Sequence, residues 1–315
     1  MNPEDCLPAD LRARSPVITK ITAGLSGAGV YQVVAGEDAY VLRVNGEETD
    51  PAVWRRYLAI LRLAAGAGLA PRVVHVDEHR LAVLSAFVED RSFIAFYQDP
   101  ATQPAAVELL GRTFRRLHAL PIPAEAMEGG LEARKLLSAL WPELRANLPL
   151  PGFADDLVRR MLDTPEPPSD RAPVLGHNDP NPTNLVYDGT QLLLIDWDTA
   201  GVQHPFYDLA AVAMFLRMSD DLCLGMLSAY EGAPVDTIPE RFRYARRLVA
   251  LFCGATFLGL ARAAGHPGDA TGTLQTTLSI GTCYQLMQKG LLRFDTAAGQ
   301  WQMGLALLKE SVGNG

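Results

Sequence analysis

The amino-acid sequence predicts an α+β protein: a small antiparallel sheet of five strands with one helix over residues 1–88, then a larger, mainly helical segment over 89–315. Three features lead to that expectation. Up to Phe87 the chain reads as short β-branched and apolar runs separated by turns rich in Gly, Asn and Asp. Beyond Phe87 apolar residues recur at helical spacing almost to the end. Within that helical part, a loop dense in Asn, Asp and Pro lies between two short apolar runs.

The elements follow in order. Val17–Thr22 is a first strand, Ala23–Gly29 (AGLSGAG) a glycine-rich turn, and Val30–Val34 a second strand. Gly36–Asp38 supplies turn residues before a third strand, Ala39–Val44. Pro51 opens a helix to about Ala65, with Trp54, Tyr57, Leu58 and Leu61 on its apolar stripe. Arg72–Val76 and Leu81–Phe87 read as a hairpin about Asp77–Arg80. Pro104–Leu120 then places Val107, Leu110, Phe114 and Leu117 on one helical stripe, and Leu131–Leu148 and Phe153–Leu162 are further helices. Asp163–Pro173 holds four prolines in eleven residues and is an extended loop. The strand-like runs Val174–Leu175 and Leu192–Ile195 flank the polar loop, and helical patterns return from Tyr207.

Composition narrows the function classes. A chain of 315 residues that is 48% hydrophobic and 20% charged can bury a large core, which excludes a disordered or fibrous protein. Its 28 Lys and Arg against 36 Asp and Glu give a net charge of −8, which argues against a nucleic-acid partner. Met1–Asp10 carries no basic, apolar run of the signal-peptide kind. The most apolar stretch, Leu248–Ala261, is 14 residues long, short for a bilayer span and suited to a buried helix. No membrane partner is therefore expected. Cys6, Cys223, Cys253 and Cys283 form no Cys-x-x-Cys pair and read as core residues of a reduced, cytoplasmic protein. The oligomeric state stays open.

The polar loop runs Gly176-His177-Asn178-Asp179-Pro180-Asn181-Pro182-Thr183-Asn184, and twelve residues after Asn184 the apolar run ends in Asp196-Trp197-Asp198. A carboxylate five residues before an amide, with a second carboxylate closing a strand, suits magnesium-assisted phosphoryl transfer. Asp179 can accept the proton of an attacking hydroxyl while Asn184 and Asp196 hold Mg²⁺ on nucleotide phosphates. Asn, Asp and Pro also populate ordinary turns, and Asp196 can simply cap one. The position after a Gly-loop sheet and before a strand-ending Asp favours the chemical reading.

HNDPNPTN (177–184), LLLIDWDTAG (192–201) and HPFYDLA (204–210) resemble the aminoglycoside phosphotransferase and choline/ethanolamine kinase superfamily, small-molecule kinases of protein-kinase-like fold. The resemblance covers almost the whole chain. It implies a bilobal architecture, with residues 1–88 as nucleotide-binding lobe, 89–315 as catalytic and substrate lobe, and ATP and Mg²⁺ as cofactors. Asp179 matches the catalytic Asp, Asn184 and Asp196 the metal ligands, and His177 the structural histidine of the loop. Asp208 matches a buried Asp that holds the catalytic-loop backbone, and Asp198 the acid that often follows the metal Asp. Ser26, Gly27 and Gly29 lie where the family covers the phosphates with backbone N–H groups. Arg43 stands where many kinases place Lys, and the adenine is expected against Ala86–Val88. An ordinary protein kinase is disfavoured, since it has Lys and Asp-Phe-Gly where this chain has Asn181 and Asp196-Trp197-Asp198. One departure from the family stands out. No acid lies between Asp50 and Asp77, and Ala59 aligns with the helix Glu that would pair with the strand cation. Arg43 is then held by another group, such as Glu47 or Glu48, or nucleotide affinity is reduced.

The expected activity is transfer of the ATP γ-phosphate to a hydroxyl of a small molecule, an amino alcohol of the choline/ethanolamine kind first. An aminoglycoside, or a thiamine- or sugar-type alcohol, is the alternative acceptor. Residues 231–315 hold six acids against eight Lys and Arg, a poor match for a polycationic antibiotic. Two other classes remain: a weakly catalytic nucleotide-binding pseudokinase, and a metallohydrolase built on His177, Asp179, Asp196, Asp198 and His204.

Overall fold

The computed structural model describes residues 2–21, 28–46, 48–127 and 131–313. It divides into two compact units: residues 1–130, 174–202 and 228–233 form one, and residues 131–173, 203–227 and 234–315 the other.

The first unit is built on a five-stranded antiparallel sheet. Its strands β1 (Val17–Ile21), β2 (Gly29–Ala35), β3 (Asp38–Val44), β4 (Val73–Asp77) and β5 (Ala82–Ala86) lie in the order β1-β2-β3-β5-β4. Gly36 adopts φ +66° in the tight turn between β2 and β3, where a side chain would be strained. Alternation sorts the two faces. Val33, Ala35, Leu42, Ala82 and Leu84 pack on Cys6, Leu7 and Leu11 from the N-terminal segment, which carries the short helix α1 (Ala9–Arg12). Leu42 faces that core, so its neighbour Arg43 faces the opposite side, across from Val30 and Val83 in register.

That opposite side is met by α2 (Pro51–Gly66). Asp50 caps it by accepting from Ala52 N at 2.7 Å, and Pro51 fills its first turn. It buries Trp54, Tyr57, Leu58, Ile60, Leu61 and Ala64, the stripe expected from the sequence. Two further helices, α3 (Phe93–Gln98) and α4 (Gln103–His118), belong to the same unit, with Val107, Leu110, Phe114 and Leu117 buried.

Four three-residue strands complete the first unit's loop region. They are β6 (Val174–Gly176), β7 (Leu185–Tyr187), β8 (Leu192–Leu194) and β9 (Gly201–Gln203, whose last residue belongs to the second unit). β7 and β8 pair antiparallel, and β6 pairs with β9. Leu194 N donates to Leu69 O at 2.8 Å and Arg91 N to Tyr187 O at 2.7 Å, which fastens this region to the segments after α2 and β5. Residue 88 therefore lies inside the first unit.

The second unit is helical: α5 (Ala133–Asn147), α6 (Gly152–Asp163), α7 (Phe206–Phe215), α8 (Asp220–Glu231, whose last turn belongs to the first unit), α9 (Glu240–Ala263), α10 (Ile280–Gln288) and α11 (Ala297–Gly313). α5, α7 and α11 all pack on α9. At 24 residues α9 is long and apolar enough to cross a bilayer, but 61% of its most apolar window is buried inside the protein, as expected of a core helix. It is longer than the apolar run because Glu240–Arg247 extend it at the start. Cys6, Cys223 and Cys283 are buried and Cys253 is half-buried.

α9 and α11 approach closely at two glycines. A Cβ on Gly254 would sit 2.9 Å from Gly304 O and 2.8 Å from Leu308 Cδ2, and one on Gly304 would sit 3.0 Å from Gly254 O. Gly254→Val is therefore expected to destabilise the protein by about 1–3 kcal/mol through overpacking. Thermal unfolding checks this: an unchanged Tm would mean that the helices tolerate a wider spacing.

Candidate active site

Two residues of left-handed backbone mark the site, one in the polar loop between β6 and β7 and one after β8. Asn178 has φ 67° and Asp196, just beyond β8, φ 62°. Asn and Asp accept this conformation more readily than other side-chain-bearing residues, yet it costs energy, and such positions gather at functional sites. Surrounding hydrogen bonds keep the strained turns in place. Asn178 Nδ2 donates to Thr199 O at 2.9 Å, and Thr199 Oγ1 donates to His177 O at 3.1 Å. Ile195 N donates to Asn184 O at 3.1 Å. Loop 177–184 is thus laced to segment 195–201, and Asp179, Asn184 and Asp196 are brought onto one connected stretch of the first unit.

Asp179 is half-buried, and its carboxylate is oriented by two amides. Asn181 Nδ2 donates to Oδ1 at 3.0 Å and Asn184 Nδ2 to Oδ2 at 3.1 Å. Asn184 Nδ2 also donates to the Asp179 backbone carbonyl at 2.9 Å. Asn181 Oδ1 in turn accepts from Thr183 N at 2.9 Å and caps the 3₁₀ turn Pro182–Asn184. The result is an acceptor-only carboxylate held in one orientation. With Nδ2 committed as donor, the Asn184 amide has its carbonyl oxygen left to offer a lone pair.

His177 is fully buried, and its Nε2 donates to Ile195 O at 2.9 Å. A carbonyl only accepts, so Nε2 carries the proton. Its ring meets Trp197 edge-on at 4.7 Å between centroids, and Trp197 Nε1 donates to Leu194 O at 3.0 Å. Both rings brace the turn that presents Asp196. His177→Ala removes buried volume and leaves a buried carbonyl without its donor, so a loss of about 2–4 kcal/mol is expected. Urea unfolding reads it directly. A variant as stable as the parent would contradict this bracing.

Arg43 closes the site from β3. Its Nη2 donates to Asp198 Oδ2 at 2.6 Å, its Nη1 to Asp196 Oδ1 at 3.3 Å, and its Nε to Asn45 Oδ1 at 2.9 Å. Only 14% of the side chain is exposed, against 38% for Asp196 and 36% for Asp198. Burial pushes the Asp198 carboxyl above the ordinary carboxylate range, against the pull of Arg43. The guanidinium also lies 5.0 Å from the centroid of the Tyr57 ring. Among the described residues the ion pairs of Arg43 go to Asp196 and Asp198 and not to Glu48, and Glu47 lies outside the described residues.

The remaining expected residues are placed as follows. Gly29 opens β2, where a Cβ would meet the Tyr31 ring at 2.9 Å, so its glycine serves a close approach within the strand. Ser26 and Gly27 lie outside the described residues. Ala86 ends β5, and Val88 follows half-buried, beyond Phe87, whose N–H donates to Ala39 O at 3.0 Å. Asp208, in the first turn of α7, is 1% exposed and belongs to the second unit. Sequence reasoning missed Tyr57, Asn45, Asn178 and Thr199 as site residues. Tyr57 was visible as part of an apolar stripe, Asn178 and Thr199 stand inside the motifs HNDPNPTN and LLLIDWDTAG without a role given to them, and no pattern marks Asn45.

A family model described as the phosphotransferase enzyme family matches residues 17–244. A comparison with curated protein sequences gives no significant match. Among solved structures, a choline/ethanolamine kinase family protein from Mesorhizobium loti is 19% identical, with a TM-score of 0.60 over 98% of this chain and 95% of that one. Choline kinase LicA from Streptococcus pneumoniae is 15% identical, with a TM-score of 0.58 over 93% and 92%. Macrolide 2′-phosphotransferase MphH from Brachybacterium faecium is 18% identical, with a TM-score of 0.61 over 81% and 92%. These likenesses show the protein-kinase-like fold shared by choline kinases and antibiotic phosphotransferases. With the family matched over most of its length, the chain belongs to the phosphotransferase (APH) enzyme family, which transfers phosphoryl groups to hydroxyls.

Proposed function

We propose that this phosphotransferase uses ATP and Mg²⁺ to phosphorylate the hydroxyl of a small amino alcohol of the choline/ethanolamine kind, in the cytoplasm. The observation that carries the kinase chemistry is the contact of Asp179 Oδ2 with Asn184 Nδ2 at 3.1 Å on a loop laced to the strained turn of Asp196. In this reading Asp179 accepts the acceptor hydroxyl's proton as its oxygen attacks the γ-phosphorus and ADP leaves. Arg43 takes phosphate oxygens through the guanidinium that now spans Asp196 and Asp198. Gly29 with Ser26 and Gly27 covers the phosphates, and Ala86–Val88 meets the adenine. Residues 1–88 act as the nucleotide lobe and 89–315 as the catalytic and acceptor lobe, with Asp208 supporting the catalytic loop. LicA has been solved in complex with AMP, which supports a nucleotide here.

The donor set fits magnesium. Among the described residues no three His, Cys, Asp or Glu side chains cluster, so a cation here would take the Asn184 carbonyl oxygen and the Asp196 carboxylate. Magnesium favours such hard oxygen donors in small number and fills its remaining positions with water and phosphate oxygens. When bound, it would offset charge on the β- and γ-phosphates. A metallohydrolase is disfavoured by His177, whose Nε2 donates to a backbone carbonyl.

The choice of acceptor rests on composition: residues 231–315 are poor in carboxylates and supply aromatic rings. Of the eight rings in 230–301, Tyr230, Phe242, Tyr244 and Trp301 are core. Phe257, Tyr284 and Phe294 are partly exposed and cluster, with Phe294 centroids 6.0 Å from Phe257 and 6.4 Å from Tyr284. Ring faces of this kind attract an ammonium group. A panel of amino alcohols, thiamine, sugars, aminoglycosides and macrolides, scored for Mg²⁺-dependent ADP release, tests the proposal. Choline or ethanolamine is expected to give the highest kcat/KM. An antibiotic ranking above every amino alcohol would overturn the acceptor, and no ADP release with any acceptor would favour a pseudokinase.

A further inference from the structure

We propose that Tyr57 is a positioning residue for Arg43, its ring taking the place of the absent helix carboxylate while Asp198 supplies the counter-charge. The inference rests on the reading of Arg43 as the phosphate-contacting cation.

The problem that Tyr57 solves is physical. Arg43 sits in a strand between apolar Leu42 and Val44, mostly removed from water, and α2 beside it carries no acid after its cap. A charge taken out of water needs partners on each side. Asp198 and Asp196 meet the two terminal nitrogens and Asn45 meets Nε, so every polar edge of the fork has an acceptor. The charge has a fourth neighbour: the guanidinium carbon lies over the Tyr57 ring, 5.0 Å from its centroid. Tyr57 is 7% exposed and is itself stacked on Trp54, 5.8 Å between centroids at 27°. Two successive turns of α2 thus present a fixed aromatic platform, and the spacing Trp54-x-x-Tyr57 that reads as a core stripe serves the site as well.

A ring differs from a carboxylate in a way that matters for phosphate binding. A helix Glu would claim one edge of the cation and compete with the phosphates for it. A ring makes no claim on the edges beyond those of Asp196, Asp198 and Asn45 while it steadies the cation, which suits contact with oxyanions. It also explains the pairing of an arginine with this helix: a lysine ammonium has no plane to stack. Burial raises the Tyr57 hydroxyl pKa to about 12, so the ring stays neutral and its face attractive to a cation at any working pH.

Equilibrium binding of ATP, with and without Mg²⁺, to the parent, Tyr57→Phe, Tyr57→Leu, Arg43→Ala and the Arg43→Ala/Tyr57→Leu pair tests this, with Tm recorded for each. Tyr57→Phe keeps the ring face and is expected to bind within about twofold of the parent. Tyr57→Leu is expected to bind roughly 5- to 20-fold more weakly. In the Arg43→Ala background the same Tyr57→Leu change should leave ATP affinity unchanged while still lowering Tm, which separates positioning from packing. Should Tyr57→Leu not fold, Tyr57→Met fills similar space without a ring and gives the same comparison. Parent-like affinity in Tyr57→Leu or Tyr57→Met, or an equal loss with and without Arg43, overturns the role of Tyr57. Parent-like affinity in Arg43→Ala overturns the phosphate-contact reading beneath it, a different failure with its own signature.

Discussion

Asp179→Asn is expected to lower kcat by about 10²- to 10⁴-fold, the range contributed by a positioned general base. The substitution is nearly isosteric: its amide oxygen can still accept from Asn184 Nδ2, now 3.1 Å from the carboxylate, and the one contact it forfeits is that from Asn181 Nδ2. The lacing of the loop through Asn178, Thr199 and Ile195 does not involve the Asp179 side chain. Fold and nucleotide affinity should therefore survive while proton acceptance is lost. Steady-state kinetics at saturating ATP, set beside the equilibrium Kd for ATP, distinguish the two effects. A variant that turns over like the parent would remove Asp179 from the chemistry, and one that loses ATP binding in proportion to kcat would make it a binding residue instead.

Asp196→Asn should have a comparably large but different effect. Its carboxylate faces Arg43 Nη1 at 3.3 Å and is the one acidic donor proposed for the metal. Neutralising it removes a charge that Mg²⁺ needs, so Mg²⁺-dependent ATP binding and turnover are both expected to fall, kcat/KM by roughly a hundredfold or more. The informative quantity is the gain in ATP affinity on adding Mg²⁺. In the parent that gain is expected to be present, and in Asp196→Asn it should nearly vanish, while ATP affinity without Mg²⁺ changes little. An equal Mg²⁺ gain in both proteins would place the metal elsewhere.

The sheet and the long helices were legible because their patterns are strong. β1 to β5 and α2 fall where alternation, Gly turns and the Asp50-Pro51 start place them, within a residue or two. The three-residue strands β7 and β9 and the short helix α3 were not, since so few residues carry no period to read. β8 was foreseen without its partner for the same reason. At the site, the spacing on one loop and one strand end, together with the Gly-loop sheet before it and the family resemblance, singled out Asp179, Asn184 and Asp196 as candidates. The groups that hold Arg43 could not be read that way. Asp198 and Asp196 reach it across more than 150 residues of sequence, and Tyr57 reaches it from a helix whose pattern only announces a buried face. Missing acid in α2 was visible as a departure; what replaced it required the packing of strand, helix and loop around one guanidinium.

Transfer of label from [γ-³²P]ATP to the best acceptor of the panel, with the product identified by mass, tests the central claim most directly. The expected result is a phosphomonoester of that acceptor, formed by the parent in the presence of Mg²⁺ and hardly at all by Asp179→Asn. ATP bound by the parent but with its label left unmoved, or released as inorganic phosphate whatever the hydroxyl offered, would contradict a kinase built on Asp179, Asn184 and Asp196.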